Sequence, residues 1–144
     1  MTERAVVHTT FVIERTYPAP RKRVFNAWAD KQVKAKWFPT KELDFRIGGR
    51  EFNEGKAPNG NVYIFDARYE DIVLDERIVY SYFMLVNGQR MSVSVTTVQF
   101  KTEGSGTKLV YTEMGAFLDG LDDPKLREQG TAAMLTNLGK VLEG

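Results

Sequence analysis

Alternating apolar and polar residues dominate two parts of the chain and predict β-strands there. The first strand runs from Val6 to Tyr17, where β-branched and aromatic residues share one parity, and Pro18 and Pro20 end it. After Glu42 the alternation returns, interrupted by turns that contain Gly, Asn or Pro. It predicts further strands over residues 43–47, 50–54, 62–72, 78–86, 90–100 and 108–114.

Helical spacing of apolar residues occurs at three places. Two short helices are predicted after the first strand, one beginning at Pro20 and one that is capped by Asp30 and runs through Val33 to Trp37. The third helix is the longest, with Asp123 as its N-cap and Pro124 at its first position. Its apolar residues continue almost to the end of the chain, which makes it the element around which a sheet would close.

The middle of this final helix has unusually little side-chain volume, because residues 130–133 are Gly-Thr-Ala-Ala. Glycine costs a helix interior about 1 kcal/mol relative to alanine, so its presence needs a physical reason. Either the sheet approaches the helix very closely at Gly130, or a hollow lies beside it. The sequence leaves both alternatives open.

The order of these elements predicts an α+β fold. Strands joined by short turns pair as antiparallel neighbours, and helices segregated from strands are not typical of a parallel, doubly wound sheet. We therefore expect a curved antiparallel sheet wrapped around the long C-terminal helix, with two short helices after the first strand. No internal repeat or linker interrupts the pattern, so residues 1–144 are expected to form a single domain.

The composition is that of a soluble globular protein, with 42% hydrophobic and 27% charged residues. A formal net charge of +1 provides no general field to attract nucleic acid or an acidic membrane surface, so neither partner is expected. The chain has no signal-peptide pattern and no apolar run of about 18 residues, which predicts a cytoplasmic protein without membrane association. The absence of cysteine excludes disulfides and cysteine-based metal sites.

Little in the sequence predicts catalysis. His8, the only histidine, is interpreted as a surface residue, since a general base needs an orienting partner and a pocket. Asp119, Asp122 and Asp123 lack the spacing of a calcium-binding loop, and no Gly-x-Ser-x-Gly nucleophile motif is present. We therefore predict no catalytic residue, metal site or cofactor.

Several short motifs together resemble one known family. They are FVIER at 11–15, AP at 19–20, VFNAW at 24–28, WF at 37–38, DFRIGG at 44–49, PNG at 58–60 and GTKL at 106–109. Their order and spacing over nearly the whole chain are similar to the activator of heat-shock protein 90 ATPase homologue-like family, within the START-like (SRPBCC) superfamily. The resemblance implies a helix-grip fold and a domain that binds ligands or associates with chaperones.

Large apolar residues spread over the strands could form either a packed core or the wall of a pocket. Aromatic side chains stabilise any core, whereas methionine adapts to irregular apolar shapes and tyrosine supplies a hydroxyl that orients a ligand. In a helix-grip fold the small segment of the final helix faces this set, which favours a cavity. The cavity candidates are Trp37, Phe38, Phe52, Tyr63, Phe65, Tyr82, Met84, Met91, Met114, Phe117, Gly130, Ala133 and Met134.

Polar residues within the predicted strands are a second hint of a site, namely Arg46, Arg68, Glu70, Thr112 and Glu113. Strand parity decides whether each side chain faces the pocket or solvent, and most are expected outside. An unpaired buried charge is costly, so Arg46 or Glu113 on the inner face would need a partner or a charged ligand group.

The leading functional hypothesis is that an apolar or amphipathic small molecule binds between the sheet and the C-terminal helix, with no catalysis assigned. The resemblance also implies two alternatives, a chaperone-associated interaction module and an enzyme similar to the cyclases and dehydratases of the superfamily. Exposed strand edges would allow a homodimer. An acidic partner of the interaction module would meet a basic cluster formed by Arg21, Lys22, Arg23, Lys31, Lys34 and Lys36.

Overall fold

A computed structural model describes residues 4–143. None of the helices in this range is long and apolar enough to cross a membrane. In chain order the elements are β1 (Val6–Tyr17), α1 (Arg21–Ala29), α2 (Lys31–Lys34), β2 (Glu42–Leu43), β3 (Arg50–Lys56), β4 (Val62–Val73), β5 (Arg77–Val86), β6 (Gln89–Glu103), β7 (Gly106–Leu118) and α3 (Pro124–Glu143).

The seven strands form one antiparallel sheet with the order β1-β7-β6-β5-β4-β3-β2. Strands β2 to β7 pair with their neighbours in sequence, whereas β1 pairs with β7 at the far side of the sheet. The sheet curves, and the long helix α3 is packed against it. The predicted α+β architecture, including the two short helices after the first strand, is confirmed.

The predicted strand over residues 43–47 is wrong beyond its first residue. The backbone turns instead, because the Arg46 N–H donates to the Asp44 carbonyl (3.0 Å) and the Gly49 N–H donates to the Arg46 carbonyl (2.8 Å). The Asp44 carboxylate also accepts a hydrogen bond from the Arg46 side chain at 2.8 Å. Gly48 completes the turn with a φ of +83°, which glycine adopts without steric cost.

The caps of two helices agree with the sequence prediction. Asp30 accepts hydrogen bonds from the backbone N–H groups of Gln32 (2.9 Å) and Val33 (3.2 Å), so α2 begins directly after its predicted cap. It ends at Lys34, three residues before the predicted end at Trp37. Asp123 accepts from the Lys125 N–H at 2.9 Å and so caps α3.

Helix α3 packs its apolar face onto the sheet through Leu135, Leu138 and Leu142, which are no more than 3% exposed. The Tyr17 hydroxyl at the end of β1 donates to the Leu135 carbonyl at 2.7 Å. A Cβ added to Gly139 would lie 3.2 Å from the Tyr17 ring. The sheet therefore approaches α3 closely at Gly139, and glycine is the residue that permits this packing.

Helix α1 buries Val24, Phe25, Ala27 and Trp28. The Trp28 ring lies 4.7 Å from the ring of Trp37, which follows α2. The Trp37 indole N–H donates to the Ala27 carbonyl at 3.0 Å. These contacts fix the segment after α2 against the rest of the core.

Candidate functional site

A cavity of about 620 Å³ lies between the sheet and α3. Its walls are mainly apolar, because adjacent strands contribute aromatic and methionine side chains that share the inward parity. Most of the cavity candidates lie on these walls, namely Trp37, Phe38, Tyr63, Phe65, Tyr82, Met84, Met91, Gly130, Ala133 and Met134.

Gly130 lies beside open space. A Cβ added there would meet no atom within 4 Å, whereas one added at Gly139 would press on the Tyr17 ring. Of the two alternatives for the small helix segment, close approach of the sheet is therefore wrong at Gly130. Gly130 is exposed and is one of the residues that line the cavity.

Three cavity candidates, Phe52, Met114 and Phe117, do not line the cavity. Phe52 has the wrong parity, since Glu51 beside it is the buried residue, and the Arg50 guanidinium lies 4.5 Å from the Phe52 ring. Met114 is 54% exposed on the opposite face for the same reason.

Phe117 has the inward parity of β7 and is buried, so its position needs another explanation. The Arg127 guanidinium lies over its ring, 5.0 Å from the ring centre. A charged side chain from α3 thus covers the aromatic ring that was expected on the wall.

Seven polar residues that line the cavity were not predicted from the sequence, namely Asn53, Tyr80, Tyr111, Asp122, Arg127, Thr131 and Asn137. Tyr80 shares its parity on β5 with Tyr82, so the same alternation would have found it. Arg127 precedes Gly130 by about one helical turn and so lies on the same face of α3. No local pattern indicates that its charge points inward.

A buried carboxylate organises the hydroxyl groups at this polar end. Glu113 is 1% exposed, and its Oε1 accepts hydrogen bonds from Tyr82 (2.9 Å), Thr96 (2.9 Å) and Tyr111 (3.1 Å). The Tyr80 hydroxyl lies 3.2 Å from that of Tyr111. Glu113 itself does not line the cavity, so the tyrosine hydroxyls connect it to the cavity surface.

Arg127 links α3 to this network. Its guanidinium donates to the Tyr82 hydroxyl (3.0 Å), the Ser92 hydroxyl (2.9 Å) and the Asp122 carboxylate (2.7 Å). It also lies 3.8 Å from Oε2 of Glu113, so the inward carboxylate has the charged partner that the sequence analysis required.

Burial strongly affects the phenols of the network. It raises the pKa of Tyr80, Tyr82 and Tyr111 well above the usual value for tyrosine, and the nearby Glu113 charge raises each further. All three hydroxyls therefore keep their hydrogens at physiological pH.

The predicted basic cluster is wrong for Lys34, which is 2% exposed. Its Nζ lies 2.5 Å from Glu51 Oε1, and the Tyr69 hydroxyl donates to the same oxygen at 2.6 Å. Desolvation by burial lowers the pKa of Lys34, although Glu51 acts in the opposite direction. The buried pair joins α2 to β3.

Lys34 also contacts two aromatic residues of the cavity wall. Its Nζ lies 5.9 Å from the Trp37 ring centre and 5.3 Å from that of Phe38. The Phe38 ring in turn lies 5.3 Å from the ring of Phe65, across the cavity wall. The ion pair therefore positions aromatic residues without being part of the cavity surface itself.

The other candidate polar residues lie away from the cavity. His8, Arg46, Arg68 and Glu70 are exposed, and Thr112 is half-buried without contributing to the cavity lining. Among residues 4–143, no group of three or more His, Cys, Asp or Glu side chains could hold a metal ion.

Comparison with solved structures identifies close structural relatives. The Mll3558 protein from Rhizobium loti is 45% identical with a TM-score of 0.91, and the match covers 95% of this chain and 99% of that one. An uncharacterized protein from Rhizobium leguminosarum is 44% identical with a TM-score of 0.94, and the match covers 99% of each chain. Protein CV1439 from Chromobacterium violaceum is 26% identical over 94% of this chain and 97% of that one, with a TM-score of 0.81.

Comparison with curated proteins found no match. A family model described as "Activator of Hsp90 ATPase homolog 1-like protein" matches residues 18–143, which is most of the chain. The structural relatives share the helix-grip fold of START-like (SRPBCC) proteins, in agreement with the curved sheet and long C-terminal helix. The chain therefore belongs to the family of Activator of Hsp90 ATPase homolog 1-like proteins.

Proposed function

We propose that this protein binds a mostly apolar small molecule, with one polar group, in the cavity between the sheet and α3. The observation that carries the proposal is the arrangement of the cavity, in which aromatic and methionine walls lead to a polar end formed by Arg127, Tyr80 and Tyr82. Small-molecule sites have this general composition, because apolar walls provide affinity and a few fixed polar groups provide orientation.

Hydrogen bonds within the protein hold the polar end in place. Arg127 is held by Tyr82, Ser92 and Asp122, and its side chain is only 10% exposed. A ligand would therefore lose little binding free energy to the ordering of this side chain. On the apolar walls, the methionines Met84 and Met134 can adjust to the shape of a ligand.

Filling the space beside Gly130 tests this proposal. We expect the uncharged fluorescent probe N-phenyl-1-naphthylamine to bind the wild-type protein saturably. Gly130→Leu should weaken its binding roughly tenfold or more, because the added side chain occupies the cavity. A fluorescence titration measures both affinities.

Thr136→Leu is the matched control, because it adds a leucine to an exposed position of α3 that does not line the cavity. Its affinity for the probe should equal that of the wild type. Absence of saturable binding to the wild type, or equal affinity in the Gly130→Leu variant, contradicts the proposed function.

A further inference from the structure

The hydroxyl hydrogens at the polar end of the cavity have defined directions. An ionised carboxylate can only accept hydrogen bonds, so Tyr82 and Tyr111 both donate their hydrogens to Glu113. Each hydroxyl has one hydrogen, and neither has a second to give. These two phenols therefore cannot donate to a ligand.

The direction of the Tyr80 hydroxyl hydrogen follows from that of Tyr111. Tyr80 and Tyr111 form a hydrogen bond in which the geometry permits either oxygen to donate. Because Tyr111 gives its hydrogen to Glu113, Tyr80 must be the donor of this pair. Within residues 4–143, no group donates to the Tyr80 oxygen in return, so its lone pairs remain available.

At the end of the cavity next to Glu113, Tyr80 and Tyr82 therefore present their phenolic oxygens as acceptors. Tyr80 and Tyr82 both line the cavity, and the hydrogen of each hydroxyl is already donated to a protein group, Tyr111 or Glu113. Tyr82 already accepts a hydrogen bond from Arg127, which leaves the Tyr80 oxygen as the less occupied acceptor. A ligand group that can only accept hydrogen bonds would face these lone pairs and form no hydrogen bond with them.

The charges at the polar end also disfavour an anion. Among the described lining residues Arg127 is the only cation, and it is paired with Asp122 at 2.7 Å. Glu113 lies 3.8 Å from the same guanidinium. A ligand carboxylate that reached Arg127 would therefore be close to two other carboxylates in a poorly solvated site.

We infer that the ligand carries an uncharged hydrogen-bond donor, a hydroxyl or N–H group, which donates to the Tyr80 oxygen, and that the cavity discriminates against anions. This inference rests on the proposed function and adds the chemistry of the ligand's polar group. It assigns to Glu113 a positioning role, because this carboxylate determines the direction of the phenolic hydrogens without touching the ligand.

Three probes with the same naphthalene body test the inference. They are 2-naphthalenemethanol, which donates a hydrogen bond, its methyl ether, which can only accept, and the anion 2-naphthoate. Isothermal titration calorimetry with the wild-type protein should show the alcohol binding about five- to tenfold more tightly than the ether. The naphthoate should bind more weakly than either neutral compound.

Two variants test whether Tyr80 and Glu113 cause the preference for the alcohol over the ether. Tyr80→Phe removes the acceptor, so the alcohol should lose about five- to tenfold in affinity while the ether is unaffected. Glu113→Gln provides an amide that donates as well as accepts, which allows a phenolic hydrogen to turn towards the cavity. In that variant the ether should gain affinity relative to the alcohol, which a merely structural role for Glu113 would not produce.

Thr136→Leu is again the control, because Thr136 is exposed on α3 and does not line the cavity. Its alcohol-to-ether ratio should equal that of the wild type. Equal or tighter binding of the ether to the wild type, or an unchanged ratio in Tyr80→Phe, overturns the inference and leaves the proposed function standing. Failure of the wild type to bind any of the three compounds contradicts the proposed function as well.

Discussion

At the scale of single residues, Glu51 and Phe52 show how a charge partner decides which face of a strand is buried. The apolar pattern alone places Phe52 inside and Glu51 outside. The structure has the reverse arrangement, because Lys34 from α2 neutralises Glu51 and the Arg50 side chain covers Phe52. A partner that lies 17 positions away in the sequence is invisible to a local pattern, so this face of β3 could not be predicted.

The buried pair predicts a large effect on stability. Lys34→Met should lower the free energy of unfolding by about 3–5 kcal/mol, because it leaves the Glu51 carboxylate buried without a cation. Chemical denaturation followed by circular dichroism measures this change. Lys31→Met, at an exposed position of the same helix, should change stability by less than about 0.5 kcal/mol.

Adding Glu51→Gln to the Lys34→Met variant separates the effect of the buried charge on stability from the effect of lost packing. Glutamine removes the uncompensated charge and keeps an oxygen that can accept from the Tyr69 hydroxyl. The double variant should therefore be more stable than Lys34→Met alone. A double variant that is less stable than Lys34→Met would show that the charge is not the cause of the loss.

At the scale of elements, α3 and β2 show which parts of the fold a sequence specifies locally. The start of α3 is set by Asp123 and Pro124, whose capping roles depend on adjacent residues only, and it was predicted. Strand β2 ends early because Asp44 and Arg46 form their own turn, which competes with an extended pattern of alternating residues. The small segment at residues 130–133 had two interpretations, and only the tertiary contacts distinguish them.

The same substitution at the two glycines of α3 should have different effects on stability. Gly139→Leu should lower the free energy of unfolding by about 1–3 kcal/mol, because its side chain would be forced against the Tyr17 ring. Gly130→Leu should leave stability unchanged or raise it by about 0.8 kcal/mol, since the site is open and leucine favours helix. Thermal and urea denaturation of the two variants provide the comparison, and equal destabilisation by both would contradict it.

At the scale of the whole molecule, one curved sheet and one long helix create the cavity and supply both its apolar and its polar parts. The order of strands and helices was predictable, because alternation, turns and caps are local signals. The apolar wall was largely predictable once aromatic and methionine residues were assigned to the inner face. The polar end was not, since it joins Arg127 on α3 with Glu113 on β7 through hydroxyls from other strands.

The central claim, that a small molecule binds between the sheet and α3, is tested most directly by methyl NMR of the methionines. Met84, Met91 and Met134 line the cavity, whereas Met114 is 54% exposed on the other face of the sheet. On titration with 2-naphthalenemethanol, saturable shifts of the three cavity methyl signals with an unchanged Met114 signal are the predicted result. A shift of Met114 alone, or no saturable shift of the three cavity signals, would contradict the account.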